Sequence, residues 1–257
     1  MFISRSENWN IENYNPLQIE IVEGYWGQVK IEDVRCLLEN VAQHILQYFD
    51  KPFSAHIFVE CHPHRSAAQV QCRRTLTGEH IVLLSHQDFY SWSYEFAHEL
   101  CHILSSYHNL PSVPNQWFHE TLGELASMFT LRQMAVSWRK TPPQPDWQHF
   151  STTFYEYSEK LVSRSNFQLP SNTNLPDWFK TNEQSLRVDP YQRDKNGIVA
   201  LHLLPLIESN PKYWQSVCFI PDSMESFEKF LGEWRKNCPE QQQPFVTQIA
   251  ETFHFLL

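Results

Sequence analysis

In the segment YEFAHELCHIL, residues 94–104, His98, Glu99 and His102 stand in the order His-Glu-x-x-His. Positions i and i+4 share one face of a helix, so the two imidazoles can direct nitrogens at a common ion, with Glu99 offset by one position beside it. Zinc suits such donors. It takes neutral imidazole and carboxylate ligands tetrahedrally, keeps one position open for water in enzymes and lowers that water's pKa toward neutrality. Glu99 is then placed to accept the water's proton. The rest of the segment is apolar: Phe96, Leu100, Ile103 and Leu104 pin the helix in a core, and Glu95, His98 and His102 form its polar stripe. A His-Glu pair with no chemical role sits more commonly on a solvated face than in such surroundings.

Two histidines leave the site one protein ligand short. Tyr107, His108, His119, Glu120 and Glu124 follow within reach. On a second helix read over about residues 116–139, Glu120 and Glu124 share a stripe with Trp117, Met128, Leu131 and Ala135. Phe118, Leu122, Leu125 and Phe129 line the adjoining face. An ionised carboxylate inside an apolar arc is costly unless a cation or strong donors face it, and an ion held by His98 and His102 is such a cation. Glu120 ranks first on this reasoning. His119 projects to the side of Gly123 and Ala126 and ranks well behind. The competing reading is a wider polar arc with both glutamates in solvent.

HELCH and WFHETLGELAS resemble the two metal-binding helices of the gluzincin metallopeptidases, the group of the thermolysin-like proteases and the zinc aminopeptidases; the likeness covers about residues 90–130. It implies a zincin-like α+β fold, one zinc ion held by His98, His102 and Glu120, and Glu99 as general base. Glu124 matches the acidic residue that, one turn after the ligand glutamate in thermolysin-like members, orients a ligand histidine. The group also presents an oxyanion donor from a later helical segment. DPYQRDKNGIVALHLL resembles the tyrosine-then-Lys-Gly helix of aminopeptidase-type members, which makes Tyr191 the candidate catalytic donor. Thr121 stands where aminopeptidases usually have glycine and their Gly-x-Met-Glu-Asn segment is missing, so aminopeptidase specificity is not implied. The implied reaction is hydrolysis of a peptide or protein substrate. The competing class is a non-catalytic zincin-fold binding or scaffold protein with a structural metal.

The elements that must position these residues are legible in outline. Residues 31–49 repeat apolar side chains at helical spacing and stop before Pro52. AHIFVEC (55–61), AQVQCRRTL (68–76) and HIVLLS (80–85) are β-branched or aromatic and separated by short turns, which predicts a small antiparallel sheet ahead of the motif helix. RKTPPQPDW (139–147) reads as a linker and SNTNLPDW (171–178) as a polar break, with mostly helices after it. NGIVALHLLPLIESN is apolar but interrupted by Pro205, and Asp222 with Glu225 reads as a capping box for the next helix. The expected organisation is a mixed α/β lobe over 1–111 ending in the motif helix, and a helical lobe over 112–257 that carries the third ligand and closes a cleft.

Composition narrows the partners. A 257-residue chain with 42% hydrophobic and 19% charged residues folds around a sizeable core. A net charge of −9 without a dense Lys/Arg run lacks the electrostatic footprint that nucleic acid requires. No apolar stretch reaches a bilayer's thickness and the N-terminus does not read as a secretion signal, so a cytoplasmic protein with no membrane association is expected. Six scattered cysteines without a Cys-x-x-Cys pair read as reduced thiols, and Cys61, His62 and His64 as part of a polar loop.

Overall fold

The computed structural model describes residues 17–22, 24–65, 69–71, 79–106 and 114–257. Strand β1 (Gln18–Ile21) alternates exposed and buried positions, and helix α1 (Ile31–Leu46) buries Val34, Leu37, Leu38, Val41 and Ile45 along one face. Glu32 and Asp33 lie in its first turn, where negative charge complements the helix dipole. A helix between two strands carries the chain back to the same end of the sheet, and β2 (His56–Cys61) accordingly runs parallel to β1, with Gln18 opposite His56.

Strand β4 (His80–Leu84) pairs parallel with β2, and β3 (Gln69–Gln71) pairs antiparallel with β4 at the edge, giving the order β1-β2-β4-β3. The expected antiparallel sheet is thus corrected to a mixed one in which three of the four strands are parallel. Alternation of apolar residues is the same in either pairing, so strand direction cannot be read from it. The reversal between β3 and β4 places β3 outside β4, which leaves the β2 edge free for β4 to pair in parallel. Residues 68 and 72–76, the rest of the strand read over 68–76, lie outside the described residues, and so do Tyr107 and His108.

Helix α2 (Phe89–Leu104) follows β4 directly. Asp88 caps it by accepting the Ser91 N–H at 2.8 Å. Helix α3 (Gln116–Ser137) is buried along most of its length; it packs on α2, on α4 (Phe150–Val162) and on α6 (Arg193–Ser209). Helices α5 (Leu175–Val188), α7 (Phe227–Asn237) and α8 (Gln243–Thr252) complete an α+β chain that is mainly helical after the sheet. One hydrophobic cluster runs from Ile57 and Val59 in the sheet, through Phe96 and Leu100 in α2 and Phe118 and Leu125 in α3, to Phe227 and Trp234 in α7.

Three local readings change. Helix α6 runs through Pro205, because Leu203, Leu204 and Ile207 are buried on either side of it. Burying each contributes about 1.5–3 kcal/mol, which offsets the roughly 3 kcal/mol that an interior proline costs. The capping box at Asp222 does not form: α7 begins at Phe227, after Ser226. In the 139–147 linker, Trp147 is buried and stacks on Trp138 with ring centroids 5.6 Å apart, so the connection is packed against the helices it joins. The polar break ends where Asn174 caps α5 by accepting the Asp177 N–H at 2.9 Å.

Candidate metal centre

Helix α2 is fixed to the sheet by the first member of its polar stripe. The buried Glu95 carboxylate accepts the Ser85 N–H at 2.8 Å, the Ser85 hydroxyl, and His86 Nδ1 at 2.5 Å. That anchors the turn preceding His98 to the end of β4. Across from α2, α3 brings Glu120 between the two histidines. Its Oε2 lies 3.3 Å from His98 Nε2 and its Oε1 lies 3.5 Å from His102 Nε2. The two imidazoles stand edge to face, centroids 4.7 Å apart at 79°. Among the described residues these three form the one group whose donor atoms converge as a metal site requires, all within 4.8 Å of one another.

The group is chemically suited to zinc, which takes imidazole and carboxylate donors, and Glu120 turns one oxygen toward each histidine, at 3.3 and 3.5 Å. Both histidines offer Nε2, the nitrogen farther from the helix. Gly123 makes room for this: a Cβ at that position would sit 2.7 Å from Cε1 and Nε2 of His98. Helix α3 therefore cradles the ring with bare backbone one turn after Glu120.

Electrostatics point the same way. Burial alone would lower the His98 imidazole, but its bond to Glu120 and the charges of Glu99, Glu120 and Glu124 lift it to about 9. Burial would raise Glu120, yet the facing His102 and His98 hold it well below the usual carboxylate range. The Glu120 carboxylate between the two imidazoles calls for positive charge there, carried by protons or by a metal ion.

The remaining expected residues fall around this group. Glu99 is buried on α2 beside His98. Glu124 is buried on α3 with Oε1 4.0 Å from His98 Nδ1, outside hydrogen-bond range. Its carboxylate instead accepts the Tyr94 O–H and pairs with Arg193 Nε at 3.1 Å. Tyr191 is exposed, and its hydroxyl accepts from Gln116 Nε2 at 2.9 Å. Gln116, Glu120 and Glu124 follow at intervals of four along α3, so Tyr191 and Arg193, two residues apart, reach the stripe on either side of Glu120. His119 is buried beside Phe230; burial first, and His102 second, lower its imidazole to about 3, and it is not a member of the converging group. Cys61, His62 and His64 diverge: Cys61 Sγ donates to the His86 carbonyl, His62 meets Glu60 at 2.8 Å, and His64 lies edge-on to Tyr25. Cys36, Cys61, Cys101, Cys218 and Cys238 are free thiols.

Sequence reasoning missed Tyr94, Gly123 and Arg193. A glycine inside a long helix costs about 1 kcal/mol relative to alanine, and that cost was the available signal for a close approach at Gly123. Compared with protein-family models, with curated proteins and with solved structures, the chain matches none of them. Among the described residues no helix is long and apolar enough to cross a membrane.

Proposed function

We propose that the chain is a zincin-like, single-zinc peptidase in which His98, His102 and Glu120 hold the ion and Glu99 is the general base. The observation that carries this reading is the convergence of His98, His102 and Glu120, with one carboxylate oxygen 3.3 Å from His98 Nε2 and the other 3.5 Å from His102 Nε2, in an array read from the sequence as His-Glu-x-x-His plus glutamate. A bound zinc ion supplies a water of near-neutral pKa and a Lewis acid for a carbonyl oxygen. Glu99, next in sequence to His98 and buried, takes the proton from the attacking water and returns it to the leaving amine. Its burial keeps bulk water from competing for that proton. Tyr191, tied to the start of α3 by its bond from Gln116, is the candidate to donate its O–H to the oxygen on which charge develops. Peptide or protein is the substrate class, and a cytoplasmic setting without nucleic-acid or membrane partners accords with the composition.

The test compares wild type with Glu99→Gln. Both should bind one equivalent of zinc, and a peptide library should be cleaved by the wild type alone. Loss of zinc from Glu99→Gln would contradict its assignment as base. Zinc binding by a wild type that cleaves nothing would favour the metal-holding scaffold instead.

A further inference from the structure

Glu124 poses a question that the metal-binding triad does not answer. Its side chain is only 4% exposed, and an ionised carboxylate at that depth needs strong donors. It has two, from different elements. Tyr94, one turn ahead of His98 on α2, donates its hydroxyl, and Arg193, in the first turn of α6, pairs through Nε at 3.1 Å. Burial and the Glu124 charge push the Tyr94 phenol well above its ordinary value, so it keeps its proton and remains a donor. The Arg193 guanidinium also lies over the Tyr94 ring, 4.8 Å from its centroid. The three side chains thus form one closed unit spanning α2, α3 and α6.

Helix stability does not explain Arg193. A cation in the first turn stands at the positive end of the helix dipole, the unfavourable end for it. Its geometry is explained by Glu124. The atom that Arg193 Nε meets, Oε1, is also the carboxylate atom turned toward His98 Nδ1, at 4.0 Å. Arg193 therefore fixes where the negative end behind His98 stands, at 4.0 Å, from which it acts on the ring through its charge and not through a hydrogen bond.

We propose that Arg193 is a positioning residue of the metal site: together with Tyr94 it holds the Glu124 carboxylate behind His98, and through it the first turn of α6 sets how tightly the triad binds its ion. This rests on the reading of His98, His102 and Glu120 as metal ligands. Without Arg193 the buried carboxylate keeps one neutral donor, Tyr94, on its other oxygen, and nothing holds Oε1 toward His98.

Zinc affinity, measured by competition with a chromophoric chelator, tests this on the full chain for wild type, Arg193→Gln, Arg193→Lys, Glu124→Gln and the double variant Glu124→Gln/Arg193→Gln. Arg193→Gln should weaken zinc binding by up to about 10-fold, the low end of the cost of losing a partner bonded directly to a ligand histidine, and should shift the visible absorption of the cobalt(II)-substituted protein. Arg193→Lys, which keeps a charge but not the planar fork, should recover part of the loss. In the Glu124→Gln background Arg193→Gln should change affinity by less than about twofold, because the two act as one unit. Should Arg193→Gln fail to fold, Arg193→Lys with and without Glu124→Gln makes the same comparison. Wild-type or tighter affinity in the Arg193 variants, or a loss undiminished without Glu124, overturns the proposal. If the wild type binds no stoichiometric zinc, the metal-site reading falls with it; if only the Arg193 variants disagree, this inference alone falls.

Discussion

Replacing Gly123 by alanine sets two known effects against each other at the metal centre. An alanine inside a helix is favoured over glycine by about 1 kcal/mol, so a Gly123→Ala change with no clash would stabilise the ion-free protein. Here the new Cβ meets Cε1 and Nε2 of His98 at 2.7 Å and Cδ2 at 2.8 Å. Favourable carbon contacts begin at about 3.5 Å, so the ring must retreat by roughly 0.8 Å or α2 and α3 must separate. Overpacking of this kind costs about 1–3 kcal/mol. The balance is a loss of about 0–2 kcal/mol, or a fall in Tm of about 0–8 °C for a chain of this size. Metal binding should suffer more than folding. In the proposed site Nε2 is the donor atom, and metal distances tolerate only about ±0.2 Å, so the zinc dissociation constant should rise at least about 10-fold. Thermal unfolding of the ion-free protein, paired with chelator competition, separates the two effects. Higher ion-free stability together with wild-type zinc affinity would refute the view that α3 cradles the His98 ring at Gly123.

Two further outcomes follow from packing and burial away from the metal. His44 is buried on α1, where its Nε2 lies 3.2 Å from Ser137 Oγ, and burial lowers its imidazole to about 4 from 6.5. Between those values the unfolded chain binds the extra proton, so stability falls as the pH drops from about 6.5 toward 4, by on the order of 3 kcal/mol in all; urea unfolding across that range should show a shallower acid loss in His44→Gln, and an identical pH slope would rule His44 out as its source. Gly197 in α6 would place a Cβ 2.6 Å from the Phe167 ring, so Gly197→Ala should destabilise by about 0–2 kcal/mol once the roughly 1 kcal/mol helical gain is subtracted from the overpacking cost, and Phe167→Leu should recover part of that loss when combined with it. Equal destabilisation by Gly197→Ala in both backgrounds would show that the ring is not the obstacle.

What the sequence disclosed, and what it hid, divides along local and long-range geometry. His98, His102 and Glu120 were readable because helical spacing alone puts each on a definite face, and an apolar arc around a carboxylate implies a cation opposite it. The burial of Glu124 on the same stripe was readable for the same reason. Its partners were not, since Arg193 comes from a helix about seventy residues later and Tyr94 reads as an ordinary core aromatic. Strand positions β2 and β4 were visible from their composition, whereas β1, only four residues long, offered too few positions for a period to show. Strand direction depended on β3 lying outside β4, a matter of topology that no periodicity encodes. Pro205 misled because local propensity was weighed without the burial on both sides of it.

The central claim is that His98, His102 and Glu120 hold one zinc ion. Anomalous diffraction at the zinc absorption edge, from crystals grown with equimolar zinc, tests it most directly. The expected result is a single peak about 2.0–2.2 Å from Nε2 of His98, Nε2 of His102 and a carboxylate oxygen of Glu120. A map without a peak there, or an ion held by His119 or by Glu124 in place of Glu120, would contradict it.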